Sequence, residues 1–176
     1  MNPDILRRFA LKLWDICAFR AGPQDLPASS SFLLMAIAAY WLVGVMGLAI
    51  QMPLPSALLQ AAVDLALLSG LAWLGLRVRN HTARFTQTMT ALAGTGALIG
   101  LVAWPVVLWM TQVAAAGQGG GLATLVFLLV LGWSLAVTAI IVQAAMAIPR
   151  GMAIAFTVGY LVLSVYVTSV VLASSG

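Results

Sequence analysis

The chain contains no glutamate and only one lysine, one histidine and one cysteine. Each absence removes a class of chemistry. A lone Cys17 makes no internal disulfide. His81 has no second histidine or cysteine with which to build a zinc-type site. No pair of acids is spaced for general acid and base work. One histidine, set in a polar loop, does not make a Ser-His-Asp set. There is no phosphate-cradling glycine motif ending in lysine, because the Gly117–Gly121 stretch is followed by no basic residue. The sequence therefore assigns no catalytic residue, no metal site and no cofactor, and the expected role is non-enzymatic.

Charge itself is scarce. Charged residues are 7% of the 176, while hydrophobic residues are 63%. A soluble domain averages about 25% charged residues. So few charges cannot cover a water-facing surface of this size, which leaves lipid as the wetting medium. The net charge of +4 comes with no basic run and no aromatic platform, so no nucleic-acid partner is expected.

What is present is sorted. Five apolar stretches stand near Phe32–Ile50, Leu54–Leu76, Thr86–Thr111, Leu122–Ile148 and Met152–Ala173. All eight Lys/Arg residues fall in alternate gaps: Arg7, Arg8, Lys12 and Arg20 before the first stretch, Arg77, Arg79 and Arg84 after the second, and Arg150 after the fourth. The gap 51–53, the glycine-rich gap 117–121 and the tail 174–176 carry none. Cytoplasmic loops carry the excess of Lys/Arg. The pattern predicts an all-α, polytopic membrane protein with five spans, N-terminus cytoplasmic and C-terminus periplasmic. The basic residues also suit anionic lipid headgroups, at about 1 kcal/mol each near the surface. The first twenty residues lack an uninterrupted apolar core, so no cleaved leader is expected.

Residues 1–20 read as an amphipathic interfacial helix, 21–31 as a linker broken by Gly22, Pro23 and Pro27, and 32–176 as the five-span bundle. At 100° per residue, Ile5, Leu6, Phe9, Ala10, Leu13, Ile16 and Cys17 share one arc, opposite Asp4, Arg7, Arg8, Lys12 and Asp15. That face either dips into the membrane surface or packs on the protein's own spans. Cys17 is either a palmitoylation site or part of the apolar face. Asp25 is placed to bond linker amides.

Within the spans, Asp64 stands out. It lies about 15 Å from the start of the second stretch, near mid-bilayer. An acid there costs about 2.5–3.5 kcal/mol on insertion scales, which makes it a functional candidate. No span supplies a cation, so neutral helpers are expected: Gln60 one turn away, with Thr90 and Thr95 on the third span. Ala93, Gly96, Ala97 and Gly100 on that span, and Ala155 and Gly159 on the fifth, form small-residue faces for close helix approach. Pro105 is expected to kink the third span. Tyr160, Ser164, Tyr166, Thr168 and Ser169 make the fifth span polar for a lipid-facing helix, so packing on one side is expected.

The segments Phe19-Arg-Ala-Gly-Pro-Gln-Asp-Leu-Pro27 and Arg84-Phe-Thr-Gln-Thr-Met-Thr-Ala-Leu-Ala-Gly-Thr-Gly96 resemble short bacterial members of the Yip family of five-span membrane proteins. The Asp25-Leu26-Pro27 run is similar to the Asp-Leu-x-x-Pro pattern of eukaryotic members. The resemblance implies a cytoplasmic N-terminus, five packed spans and residence in a bacterial inner membrane. Short loops and small-residue faces point first to a scaffold or accessory subunit of a membrane assembly or homo-oligomer. A lipid-interacting or membrane-shaping role through residues 1–20 is the second reading. A small oligomeric channel or transporter using Asp64 is the third.

Overall fold

The computed structural model describes residues 3–117 and 119–174, with side chains placed for 4–117 and 119–170. Gln118 and the last two residues, read above as parts of charge-free connections, lie outside the described residues. Among the described residues all regular structure is helical: α1 (Pro3–Cys17), α2 (Ser30–Leu48), α3 (Leu54–Val78), α4 (Phe85–Ala115), α5 (Gly121–Met146) and α6 (Arg150–Ser174). Short 3-10 turns at Pro23–Asp25 and Thr82–Arg84 lead into α2 and α4. Five of the helices are long and apolar enough to cross a membrane. The chain is an integral membrane protein of the all-α class. α4 runs as one element through Pro105.

The helices close a ring. α4 packs against α2 and α5, α5 against α6, α6 against α3, and α3 against α2. α4 is the most enclosed span, and its residues Thr88–Thr95 are all buried. Small side chains make this possible, since Ala91, Ala93 and Gly94 let neighbouring helices come close. Outward-facing leucines and valines on α5 and α6 remain exposed, as Leu129 and Val162 do. Lipid tails are the natural cover for such faces.

The amphipathic face of α1 packs on the protein's own spans. Phe9, Leu13, Ile16 and Cys17 are buried. The helix lies across α4: Phe9 stacks on Phe32 of α2, with ring centroids 4.4 Å apart. Leu13 covers Gly94, where a Cβ would come within 2.7 Å of its methyls. At the far end Trp133 of α5 donates its indole N–H to the Cys17 carbonyl at 2.8 Å, and its ring meets Trp14 edge-on. Ile5, Leu6 and Ala10, expected on the same arc, are exposed. The buried part of the arc is Phe9, Leu13, Ile16 and Cys17, on the side that meets α4, and Ala10 stays at its exposed margin. The helix stops at Cys17 rather than continuing to 20, and Phe19 turns the chain with φ 61°.

Side-chain ties hold the basic end of the bundle. Asp25 accepts a hydrogen bond from the Gly22 amide at 2.8 Å, orienting the linker as its position suggested. Gln87 donates to the Leu26 carbonyl at 2.8 Å. Arg79, expected at lipid headgroups, instead donates to the Met146 and Ala147 carbonyls at 3.3 and 3.4 Å. Those groups end α5 and lack intrahelical donors, and a cation there complements the helix dipole. Arg77 lies over the Trp73 ring, 4.9 Å from its centroid.

Cys17 is 1% exposed, and burial pushes its thiol up to about 11. A thiol so protected is a poor nucleophile at neutral pH, because the thiolate reacts. That sets aside palmitoylation of the docked helix. Maleimide should label Cys17 only after denaturation in the native chain. Gly94→Phe, which pushes Leu13 away, should make Cys17 reactive without denaturant. Fast labelling of the native chain would show that α1 does not stay docked.

Candidate functional site

Three helices meet at Asp64 about halfway along their lengths. Asp64 is ten residues into α3 (54 to 64), Tyr40 ten into α2 (30 to 40) and Tyr160 ten into α6 (150 to 160), each about 15 Å from its helix start. Tyr40 donates its hydroxyl to Asp64 Oδ2 at 2.5 Å. Tyr160 and Ser164, one turn apart on α6, donate to Oδ1 at 2.8 and 2.7 Å. One turn along α3, Gln60 donates its amide N–H to Thr168 Oγ1 at 3.4 Å. Its carbonyl oxygen is enclosed and has no partner.

Local sequence explains this convergence. Gln60 and Asp64 are four apart and so share a face of α3; Tyr160, Ser164 and Thr168 do the same on α6. Tyr40 reaches Asp64 because Gly96 of α4 lies beside its ring, where a Cβ would stand 2.6 Å from Tyr40 Cε2. Gly100, one turn on, likewise accepts Val43. The small-residue face of α4 thus serves contacts inside the chain, with a tyrosine ring as the guest. Ala93 and Ala97 are buried beside it. Ala155 and Gly159, by contrast, are exposed on α6, and among the described residues nothing beyond the helix's own backbone lies within 4 Å of a Cβ built at Gly159.

Two expected helpers point elsewhere. Thr90 donates to the Thr86 carbonyl at 2.6 Å and Thr95 to the Ala91 carbonyl at 2.7 Å. Both are buried and bond back along α4, four residues earlier. The hydroxyls that hold Asp64 come from Tyr40, Tyr160 and Ser164 instead. The α6 pair belonged to a recognisable polar seam, since Tyr160, Ser164 and Thr168 recur at helical spacing. Tyr40, a single tyrosine in an apolar run, carried no such signal.

The site has no internal counter-charge. α2, α5, α4 from Phe85 onward and α6 after Arg150 contain no Lys, Arg or His. The only cation on α3 is Arg77, more than three turns away and over Trp73. Among the described residues, no three His, Cys, Asp or Glu side chains come together.

A cavity of about 390 Å³ runs from Asp64 toward the α2–α3 turn. Its floor is Asp64, Tyr40 and Ser164, with Gln60 and Thr168 on one wall; Gly44, Gly47, Trp104 and Val107 line the rest, and Gln51 stands at the mouth. Small residues bound the hollow on α2 and α4; at Gly47 a Cβ would meet nothing within 4 Å, whereas the room at Gly100 is taken by Val43. The lining residues run from Asp64 toward the end of the bundle without Lys/Arg, where Gln51 is exposed. A carboxylate with a polar shelf, reached along a mostly apolar passage, can take up a positively charged group.

The hydroxyl bonds should show as coupling energies. Tyr40→Phe and Tyr160→Phe should each lower stability by about 1–2 kcal/mol in the native background. In an Asp64→Leu background the same changes should cost close to nothing, as read by unfolding in a double-mutant cycle. Thr90→Val should show no coupling to Asp64. Equal costs in both backgrounds would dissolve the network.

No protein-family model, curated protein or solved structure matches this chain.

Proposed function

We propose that this chain is a non-enzymatic integral membrane protein that binds a positively charged solute at Asp64, as a small carrier or as the solute-binding subunit of a membrane assembly. One observation carries the reading: a carboxylate with three hydroxyl donors and no cation of its own lines a partly open cavity. Charge inside a membrane bundle is costly and marks solute and ion paths. The distribution of Lys/Arg supports an orientation with the N-terminus and Arg77–Arg84 in the cytoplasm and the cavity mouth on the opposite side. The likeness to the Yip family supports the same threading and a bacterial inner membrane. Membrane lipids are the surrounding partner, with Arg7, Arg8, Lys12, Arg20, Arg84 and Arg150 near headgroups.

A scaffold or accessory role has support of its own. Ala155 and Gly159 leave an open, small-residue face on α6 that a second helix, from another subunit or another copy, fits. The lipid-shaping reading draws less support, because the apolar face of α1 is largely spent on α2, α4 and α5.

The test is electrostatic. Gly47→Cys places a thiol in open space within the cavity, while native Cys17 stays buried. A cationic methanethiosulfonate should modify it at least about tenfold faster than an anionic one of similar size, since one charge at cavity distance is worth a kcal/mol or more. Adding Asp64→Asn should bring the two rates together. Equal rates with Asp64 intact would end the reading.

A further inference from the structure

The shape and acceptor pattern of the cavity narrow the solute. This step rests on the reading of Asp64 as the anchor for a positive charge. We infer that the cavity takes an organic ammonium ion with an apolar body, its –NH₃⁺ held between Asp64 and Gln60 and its body lying along Trp104 toward the mouth.

The acceptors come first. A carboxylate offers about four lone-pair sites. Oδ1 of Asp64 already takes two hydroxyl donors, whereas Oδ2 takes only Tyr40. The Gln60 carbonyl oxygen is enclosed and accepts nothing, although its amide nitrogen is engaged with Thr168. An unpartnered buried acceptor is costly and calls for a donor. Asp64 and Gln60 are one turn apart on the same face of α3 and both line the cavity, so a donor seated at Asp64 lies beside the side chain that carries the unpartnered oxygen. An ammonium carries three N–H donors and no acceptor. It satisfies both, as neither a hydroxyl nor a carboxylate ligand does.

The walls come second. A bare alkali ion or Ca²⁺ asks for about six or more oxygens around it. Beyond the floor and its shelf, this passage offers Gly47, Ala103, Trp104 and Val107. Such a surface favours alkyl or aromatic carbon over a hydrated ion. Trp104 adds an indole face, which attracts cations and packs on apolar bodies. The volume of about 390 Å³ lies near the lower end of the range of about 300–1,000 Å³ for small-molecule sites. A compact monoamine fits that space.

Thermal unfolding of the full chain in detergent tests this, with 2-phenylethylammonium and n-hexylammonium against Na⁺, K⁺ and uncharged 1-hexanol at matched concentration and ionic strength. Both ammonium ions should raise the unfolding temperature of the native chain, as a ligand bound only to the folded state must. The shift should vanish in Asp64→Asn and in Gly47→Phe, which blocks the passage without touching the Asp64 network. Gln60→Leu should weaken the ammonium affinity about tenfold, the cost of one buried hydrogen bond to a charged group. If Na⁺ or K⁺ gives the same shift, lost in Asp64→Asn, the carboxylate is a cation site and the organic assignment falls. If 1-hexanol matches hexylammonium, the cavity works by apolar burial and the assignment falls with it. If no cation moves the native chain, both the assignment and the reading of Asp64 fall.

Discussion

The hydrogen-bonded carboxylate of Asp64 is the constraint to which the middle of this bundle conforms. A carboxylate is among the groups least suited to an apolar interior, and its cost there is met only by donors with good geometry. Three donors come from two neighbouring helices, Tyr40 on α2 and the Tyr160–Ser164 pair on α6. That requirement fixes the rotation of α3, because the face bearing Asp64 and Gln60 has to look at both neighbours. It fixes α2 as well, since the Tyr40 ring has to pass over α4. Only a glycine at position 96 leaves it room. A polar choice on one helix thus dictates a small residue on another, to which it is not bonded.

The bundle has two unlike ends. Toward the basic end the ring is tied by hydrogen bonds between elements: Arg79 to the end of α5, Gln87 to Leu26, Trp133 to Cys17. α1 covers α4 there, and Phe9 and Leu13 fill what the small residues of α4 leave open. Toward the other end, α2 stops at Leu48 while α4 continues to Ala115. No helix plays the part of α1, and the small residues of α2 and α4 bound a hollow instead. The same kind of residue therefore gives close packing where a neighbour brings a large side chain and a cavity where none does.

The elements that could be read from the residues were those whose signal is a composition or a period. The five spans declare themselves by apolar length, and their ends are marked by Pro53, the Arg77–Arg84 loop, Gly117–Gly121 and Pro149. The polar seam of α6 is a period too. What could not be read is what each face meets. Amphipathicity showed that one side of α1 avoids water but left lipid and protein equivalent, since both are apolar. Thr90 and Thr95 looked available to Asp64, yet a helical threonine has an acceptor four residues back on its own helix, and both use it. Gly96 and Gly100 mark room beside α4, but the sequence does not say that the guests are side chains, Tyr40 and Val43, rather than a second backbone. Arg79 counted as a topology signal, and its second task, at the carbonyls ending α5, exists only once α3 and α5 are side by side.

The scarcity of charge bears on the site as much as on the surface. Hydroxyl donors can solvate a carboxylate, but they bring dipoles and no net positive charge. In many buried sites a lysine or arginine would supply that charge and close the account within the chain. Here the spans contain none in reach of Asp64, because all eight Lys/Arg lie on α1, in connections or at the ends of spans. Asp64 therefore stands with no cation of its own chain beside it, next to the hollow lined by Gly47 and Trp104. A fixed internal cation would have made Asp64 a structural ion pair with no use for an opening. Its omission leaves the carboxylate beside a hollow with hydroxyl dipoles as its partners, and the Gln60 oxygen adds a second acceptor without a donor.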